Sequence, residues 1–166
     1  ATAAFHNSYY FHKDDNVITN KEEVCGDFEK LINLQLKEKH PKSWMRAFFN
    51  MGLINYIEGS RRMLPCQAGE MNFFVEPYGD IYPCNGLEKK YWKKSIGNIR
   101  ETPNFKEIWE GKQAEQVRQM VRRCPKNCWM VGTASPVMHK YIKYPLKWAL
   151  KNKLRSLQGK TACLDK

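Results

Sequence analysis

Six cysteines are the residues of this 166-residue chain whose types and spacing most directly imply chemistry. Four of them form two pairs. Cys66 and Cys84 bracket residues 67–83, and Cys124 and Cys128 form a Cys-x3-Cys turn opened by Pro125 and containing Asn127. Three residues between two cysteines let both thiolates face one centre, from a loop or a single helical turn. The wider pair can meet if the segment between them doubles back. Four thiolates suit zinc or an iron–sulfur cluster equally well, so ligand count leaves the metal open. Pro65, Pro83, Pro125 and Trp129 adjoin the four cysteines, and bulky neighbours exclude water from either kind of site. Zinc motifs more often place two residues between paired ligands, whereas the close pair here has three. Residues 1–10 show no basic stretch followed by an apolar run, so a reducing, cytoplasmic setting is expected. There, clustered cysteines bind metal more often than they pair as disulfides.

The elements that must position these thiols follow from local pattern. Residues 1–19 read as a strand or loop running into Asp14-Asp15-Asn16. Asn20 followed by Glu23 approximates a capping box, and Val24, Phe28, Leu31 and Gln35, widened by Ile32, trace one face of a first helix. Cys25 reads as a small buried hydrophobe on that helix. After His40-Pro41, Trp44, Phe48, Leu53, Tyr56 and Ile57 recur at helical spacing, and Gly59-Ser60 ends the second helix. Both helices read as structural. The pattern changes at Met63. Residues 71–76 (MNFFVE), the turn Pro77-Tyr78-Gly79-Asp80 and Ile81-Tyr82 predict a β-hairpin, with Gly79 at a position of positive φ. A short helix with Phe105, Ile108 and Trp109 stops at Gly111. A further helix sets Ala114, Val117, Met120 and Val121 on one side. The final segment carries Pro136, a predicted kink at Pro145, and an aligned Leu146, Leu150, Leu154 and Leu157. The expected fold class is α+β: a small hairpin with flanking helices, a helical lead-in over 1–62, a cysteine-bearing domain over 63–135 and a basic amphipathic tail over 136–166.

The hairpin supplies the more specific signal. Cys66, Gly79 and Cys84 stand as Cys-x12-Gly-x4-Cys around FFVEPYGDIYPC, followed in order by GNI at 97–99, EIW at 107–109 and the Cys-x3-Cys pair. This arrangement resembles the SPASM and twitch domains that follow the barrel of many radical S-adenosylmethionine enzymes. The resemblance spans about residues 63–130. It implies an α/β elaboration holding an auxiliary 4Fe–4S cluster near a substrate, with Cys66 and Cys84 as ligands and Cys124 and Cys128 completing the set. Two departures accompany it. A full SPASM domain carries seven or more cysteines for two clusters, so one cluster fits here, as in the twitch form. The Cys-x3-Cys-x2-Cys that binds the S-adenosylmethionine-cleaving cluster is missing from these residues. The chain alone is therefore not expected to be catalytic. Its implied partners are a radical-enzyme barrel, whose last piece residues 1–60 would represent, and an unidentified substrate. S-adenosylmethionine would be needed only in the complete enzyme. An opening at Ala1 without Met fits a fragment or a processed chain.

Composition sets the outer limits. Hydrophobic residues make up 42% and aromatics 13%, enough for a packed core and against wholesale disorder. The net charge is +11. From Lys140 to Lys160 there are seven Lys or Arg and no Asp or Glu. Such a tail favours anionic partners: nucleic acid, acidic lipid, or an acidic protein surface. The alternative to the cluster is thus a zinc-stabilised basic module that binds nucleic acid or another anion. A third reading leaves the cysteines as plain thiols. The tail's apolar stripe suits a membrane surface, or docking on the absent barrel, which is preferred. His6, His12, His40 and His139 are dispersed and read as surface or core residues. Glu70, Glu76 and Asp80 read as solvated carboxylates, with Asp80 supporting its turn. Trp109 and Trp129 read as packing residues.

Overall fold

The computed structural model describes residues 2–4, 6, 11–13, 15–86 and 95–164. Asp14 and most of the aromatic lead-in read as strand or loop lie outside the described residues. In chain order the helices are α1 (Lys21–Lys37), α2 (Pro41–Ile57), α3 (Phe105–Glu110), α4 (Lys112–Arg122), α5 (Val131–Lys140) and α6 (Lys143–Leu157). The strands are β1 (Phe74–Val75), β2 (Asp80–Tyr82) and β3 (Gly97–Asn98). The fold is mixed α+β, a small antiparallel sheet with flanking helices, as expected. No helix of the described residues is long and apolar enough to cross a membrane. The chain forms two compact units. The first comprises Ala1–Ala4, Val17–Leu64 and Lys126–Lys166, and the second Phe5–Asn16 and Pro65–Pro125.

The first unit is helical. Its α1 begins after Asn20, but the Asn20 side chain donates to the Glu23 carboxylate at 2.9 Å rather than capping a backbone N–H. The buried line of α1 runs through Cys25, Phe28, Ile32 and Leu36, which keeps the predicted Phe28, Ile32 and buried Cys25 and adds Leu36, while Val24, Leu31 and Gln35 are half-buried. Cys25 packs against this core, and burial, then Glu58 and Glu29, push its thiol up from its ordinary pKa. Helix α2 is buried over most of its circumference, because the partners of this unit surround it. Gly59, at φ +76°, ends the segment as predicted. Lys153 on α6 donates to the carbonyls of Leu36, Lys37 and Glu38, satisfying acceptors that the end of α1 leaves open.

One proline reading changes. Pro136 is carried inside α5. Pro145 sits in the first turn of α6, where its missing N–H removes no helical bond, so it starts a helix instead of kinking one.

The second unit is built on Ile81, Ile96, Ile108, Ala114, Val117 and Val121, with Ala68. β2 is the central strand: Val75 pairs Ile81 on one side, and Ile81 pairs Gly97 on the other. Gly79 has φ +94°, as the turn required. β1 is shorter than predicted, because Met71 and Asn72 belong to a preceding turn. In that turn the Gly69 N–H donates to the Asn72 carbonyl at 2.8 Å, with Gly69 at φ +77°. The Asn104 side chain accepts from the Lys106 N–H and caps α3. On α4, Met120 faces outward at 39% exposure while its three predicted neighbours are buried.

In the first unit, Trp129 is 1% exposed and its indole N–H donates to the Phe49 carbonyl at 2.8 Å. A Cβ on Gly52 would lie 2.6 Å from Trp129 Cζ2, with other indole atoms closer. The helical gain of Gly52→Ala is therefore outweighed by overlap with a ring that cannot shift. Urea denaturation of G52A should show a loss of about 1–3 kcal/mol; equal or higher stability would contradict this packing.

Candidate iron–sulfur site

Three of the four predicted ligands share one setting. Cys66, Cys84 and Cys124 all pack against the core of the second unit, each partly buried. Cys66 leads into the Gln67–Asn72 turn, Cys84 follows β2, and Cys124 follows the end of α4. Cys128 belongs to the first unit. Its carbonyl accepts from the Arg62 guanidinium, and its neighbour Asn127 donates to the carbonyls of Tyr56 and Ser60. Tyr56 lies close enough that its phenol is pushed up from the ordinary tyrosine range, first by burial and then by charge on Cys128.

Named bonds tie together the loops that carry the three thiols of the second unit. Arg118, in the middle of α4, donates from Nε to the Gly69 carbonyl at 2.8 Å and from Nη2 to the Trp109 carbonyl at 2.6 Å. Its guanidinium also lies 4.8 Å from the centre of the Trp109 ring. One turn on, Arg122 pairs with Glu70 at 3.2 Å. The helix that leads to Cys124 thus grips the turn that follows Cys66. That turn is joined in its turn to the Cys84 segment, since Asn72 donates to the Pro83 carbonyl at 3.2 Å. The backbone of Cys124 is fixed by its N–H, which donates to the Val121 carbonyl at 3.0 Å.

The hairpin is locked from its far side. Asn98 donates to the Tyr78 carbonyl and to the Asp80 carboxylate, and accepts from the Arg100 N–H at 2.8 Å. Asp80 supports the turn as expected. Gly97 has to be glycine, because a Cβ there would sit 2.6 Å from Ile108 Cγ2. These contacts account physically for the GNI segment. Trp129 is a packing residue, while Trp109 is wedged between Arg118 and the rings of Phe73 and Phe105.

Among the described residues, no three Cys, His, Asp or Glu side chains converge tightly enough to grip one metal ion. A multi-iron cluster asks for something different. Each thiolate binds a separate iron at a separate corner, so the sulfurs stand farther apart than around a single ion. The donor set fits that chemistry: soft thiols, partly shielded, spread around one apolar core.

Residues 66–130 match the SPASM iron–sulfur cluster-binding domain family. The matched segment covers less than half of the chain, begins on Cys66, and contains Cys84, Cys124 and Cys128 while leaving out Cys25 and Cys163. Iron–sulfur cluster binding is the property this match attaches to the segment. Comparison with curated proteins and with solved structures found no match. Within the SPASM segment the sequence reading missed Asn72, Asn98 and Arg118. Asn98 lay in plain view within GNI; Arg118 resembled every other cation of a basic chain.

Arg118→Met keeps the length and packing of the stem but leaves two carbonyls without their donor. A loss of about 1–3 kcal/mol is expected. Amide exchange at Gly69, whose N–H closes the turn behind Cys66, should accelerate by at least tenfold. Unchanged exchange there would show that the brace does not hold the turn.

Proposed function

We propose that the SPASM segment holds one 4Fe–4S cluster through Cys66, Cys84, Cys124 and Cys128, as the accessory part of a radical S-adenosylmethionine enzyme acting on an unidentified substrate. The observation that carries this reading is the placement of three thiols against one small core inside the matched segment. When bound, such a cluster relays an electron or offers an iron to a substrate. The chain's own contribution is mechanical and dielectric. Arg118, Arg122 and Asn72 hold the thiol-bearing loops in register, and Ile81, Ile96 and Val121 shield them from water. The exposed Leu146, Leu150 and Leu154 of α6, flanked by lysines, support docking of the radical-enzyme barrel on that face.

A second argument is energetic. The second unit draws on residues 5–16 and 65–125, and among its described residues the core cluster holds seven buried hydrophobic side chains. Domains of that size are marginal without a staple, and a metal centre supplies one.

Anaerobic reconstitution should give a brown protein with roughly four irons and four acid-labile sulfides per chain. Cys66→Ala or Cys84→Ala should cut the iron content by at least half and lower the melting temperature of the loaded protein. Iron content untouched by both substitutions, or stoichiometric zinc without sulfide, would contradict the assignment. The coding sequence upstream of Ala1 tests the enzyme kinship separately: a Cys-x3-Cys-x2-Cys is expected there.

A further inference from the structure

Burial sets Arg118 apart from the other arginines of its segment. Its side chain is 14% exposed, against 54% for Arg122, and Arg123 lies open to solvent. Its Nε and Nη2 donate to neutral groups, the Gly69 and Trp109 carbonyls, and its guanidinium lies against the Trp109 ring. Among the described residues, the carboxylate within ion-pair reach of Arg118 is that of Glu115, at 3.8 Å and 47% exposed. That is a long pair with a solvated partner, and Glu115 also meets Arg122 at 3.2 Å. Carbonyls and a ring orient a guanidinium, but they carry no net charge to balance it. A cation drawn out of water is costly unless negative charge stands close by.

The surroundings of the side chain indicate where that charge comes from. Its stem runs beside two thiol-bearing loops: a Cβ on Gly69 would lie 3.8 Å from Arg118 Cγ and 3.2 Å from Pro83 Cβ. Gly69 closes the turn that follows Cys66, and Pro83 directly precedes Cys84. Val117 and Val121, the core residues of α4 nearest Arg118 in sequence, belong to the cluster against which Cys66, Cys84 and Cys124 pack. Thiolates around a 4Fe–4S core leave a centre that is net negative, and each electron it accepts makes it more so. Net charge is one of the factors that set a cluster's reduction potential.

We propose, resting on the cluster assignment above, that Arg118 is the cluster's countercharge: a largely buried guanidinium that favours the reduced state, beyond its part in bracing the loops. The attraction between a fixed cation and an added electron is strong where water is excluded and weak at an exposed site. Arg122, more exposed and paired with Glu70 and Glu115, is screened by water and contributes little.

A redox titration of the anaerobically reconstituted full chain, followed by electron paramagnetic resonance, reads this potential only on chains that hold a cluster. Arg118→Met removes both the charge and the hydrogen-bonding fork, whereas Arg118→Lys removes the fork and keeps the charge. Arg118→Met should move the one-electron equilibrium toward the oxidised cluster about tenfold, a fall of about 59 mV in the midpoint. Arg118→Lys should stay near the wild type, and so should Arg122→Met. Loading of Arg118→Lys at the wild-type potential, with no cluster at all in Arg118→Met, would support the same conclusion. A purely structural brace predicts the other grouping, with both Arg118 variants altered alike. Equal potentials in the wild type and Arg118→Met, an equal shift in both Arg118 variants, or a cluster in the wild type and in neither variant would each overturn the countercharge. A wild type that takes up no cluster would remove the cluster assignment itself, and the countercharge with it.

Discussion

Arg118 donates to the Gly69 and Trp109 carbonyls at once, and through these bonds α4 holds both the turn that follows Cys66 and the end of α3. The sheet of this unit cannot do that alone. Its strands are two or three residues long, and so few ladder bonds leave a sheet marginal. Side chains therefore replace the missing ladder: Arg118 and Arg122 from α4, Asn72 between two loops, and Asn98 behind the hairpin. Hydrogen bonds from a charged donor are worth more than neutral ones, so a few suffice where the backbone offers little. The consequence is a compact group of loops, with a half-buried thiol at the start of one, the end of another and the foot of α4.

The first unit solves a different problem by ordinary packing. Its helices bury Phe48, Trp129 and Trp148 in contact with one another, with edge-on ring pairs at 5.6 and 6.4 Å between centres. Gly52 admits the Trp129 indole against the backbone of α2. Arg62 and Asn127 then pin the short segment after residue 125, which fixes the backbone on either side of Cys128. A cavity of this unit has a positive rim, and among the described residues of its core only Asn55 Oδ1 and Trp148 Nε1 are buried without a hydrogen-bond partner.

What could be read from the sequence divides along physical lines. The hairpin was legible because Pro77 and Gly79 punctuate it and Gly79 needs a backbone angle that other residues avoid. α3 and α4 were legible because Asn104 and Gly111 mark the ends of an apolar repeat. β3 was not, since two residues carry no alternation to detect; its pairing with β2, the Asn98 side chain and the Ile108 contact hold it in place. α5 was hidden by Pro136, which usually breaks a helix and here is carried within one. On α1 Phe28 and Ile32 were legible from their spacing, while the buried Leu36 was not, because Val24 and Leu31 are as apolar and only half-buried. The four cysteines and their match to a cluster-binding family came from spacing. The scaffold around them came from long-range bonds between residues 49 positions apart, which no local pattern encodes.

The central claim is that thiols grouped around this small core ligate several irons rather than one ion. X-ray absorption at the iron edge of the anaerobically reconstituted chain tests it most directly. The account predicts a first shell of sulfur and a second shell of iron–iron scattering. Sulfur scattering with no iron neighbour would describe a mononuclear site and would contradict it.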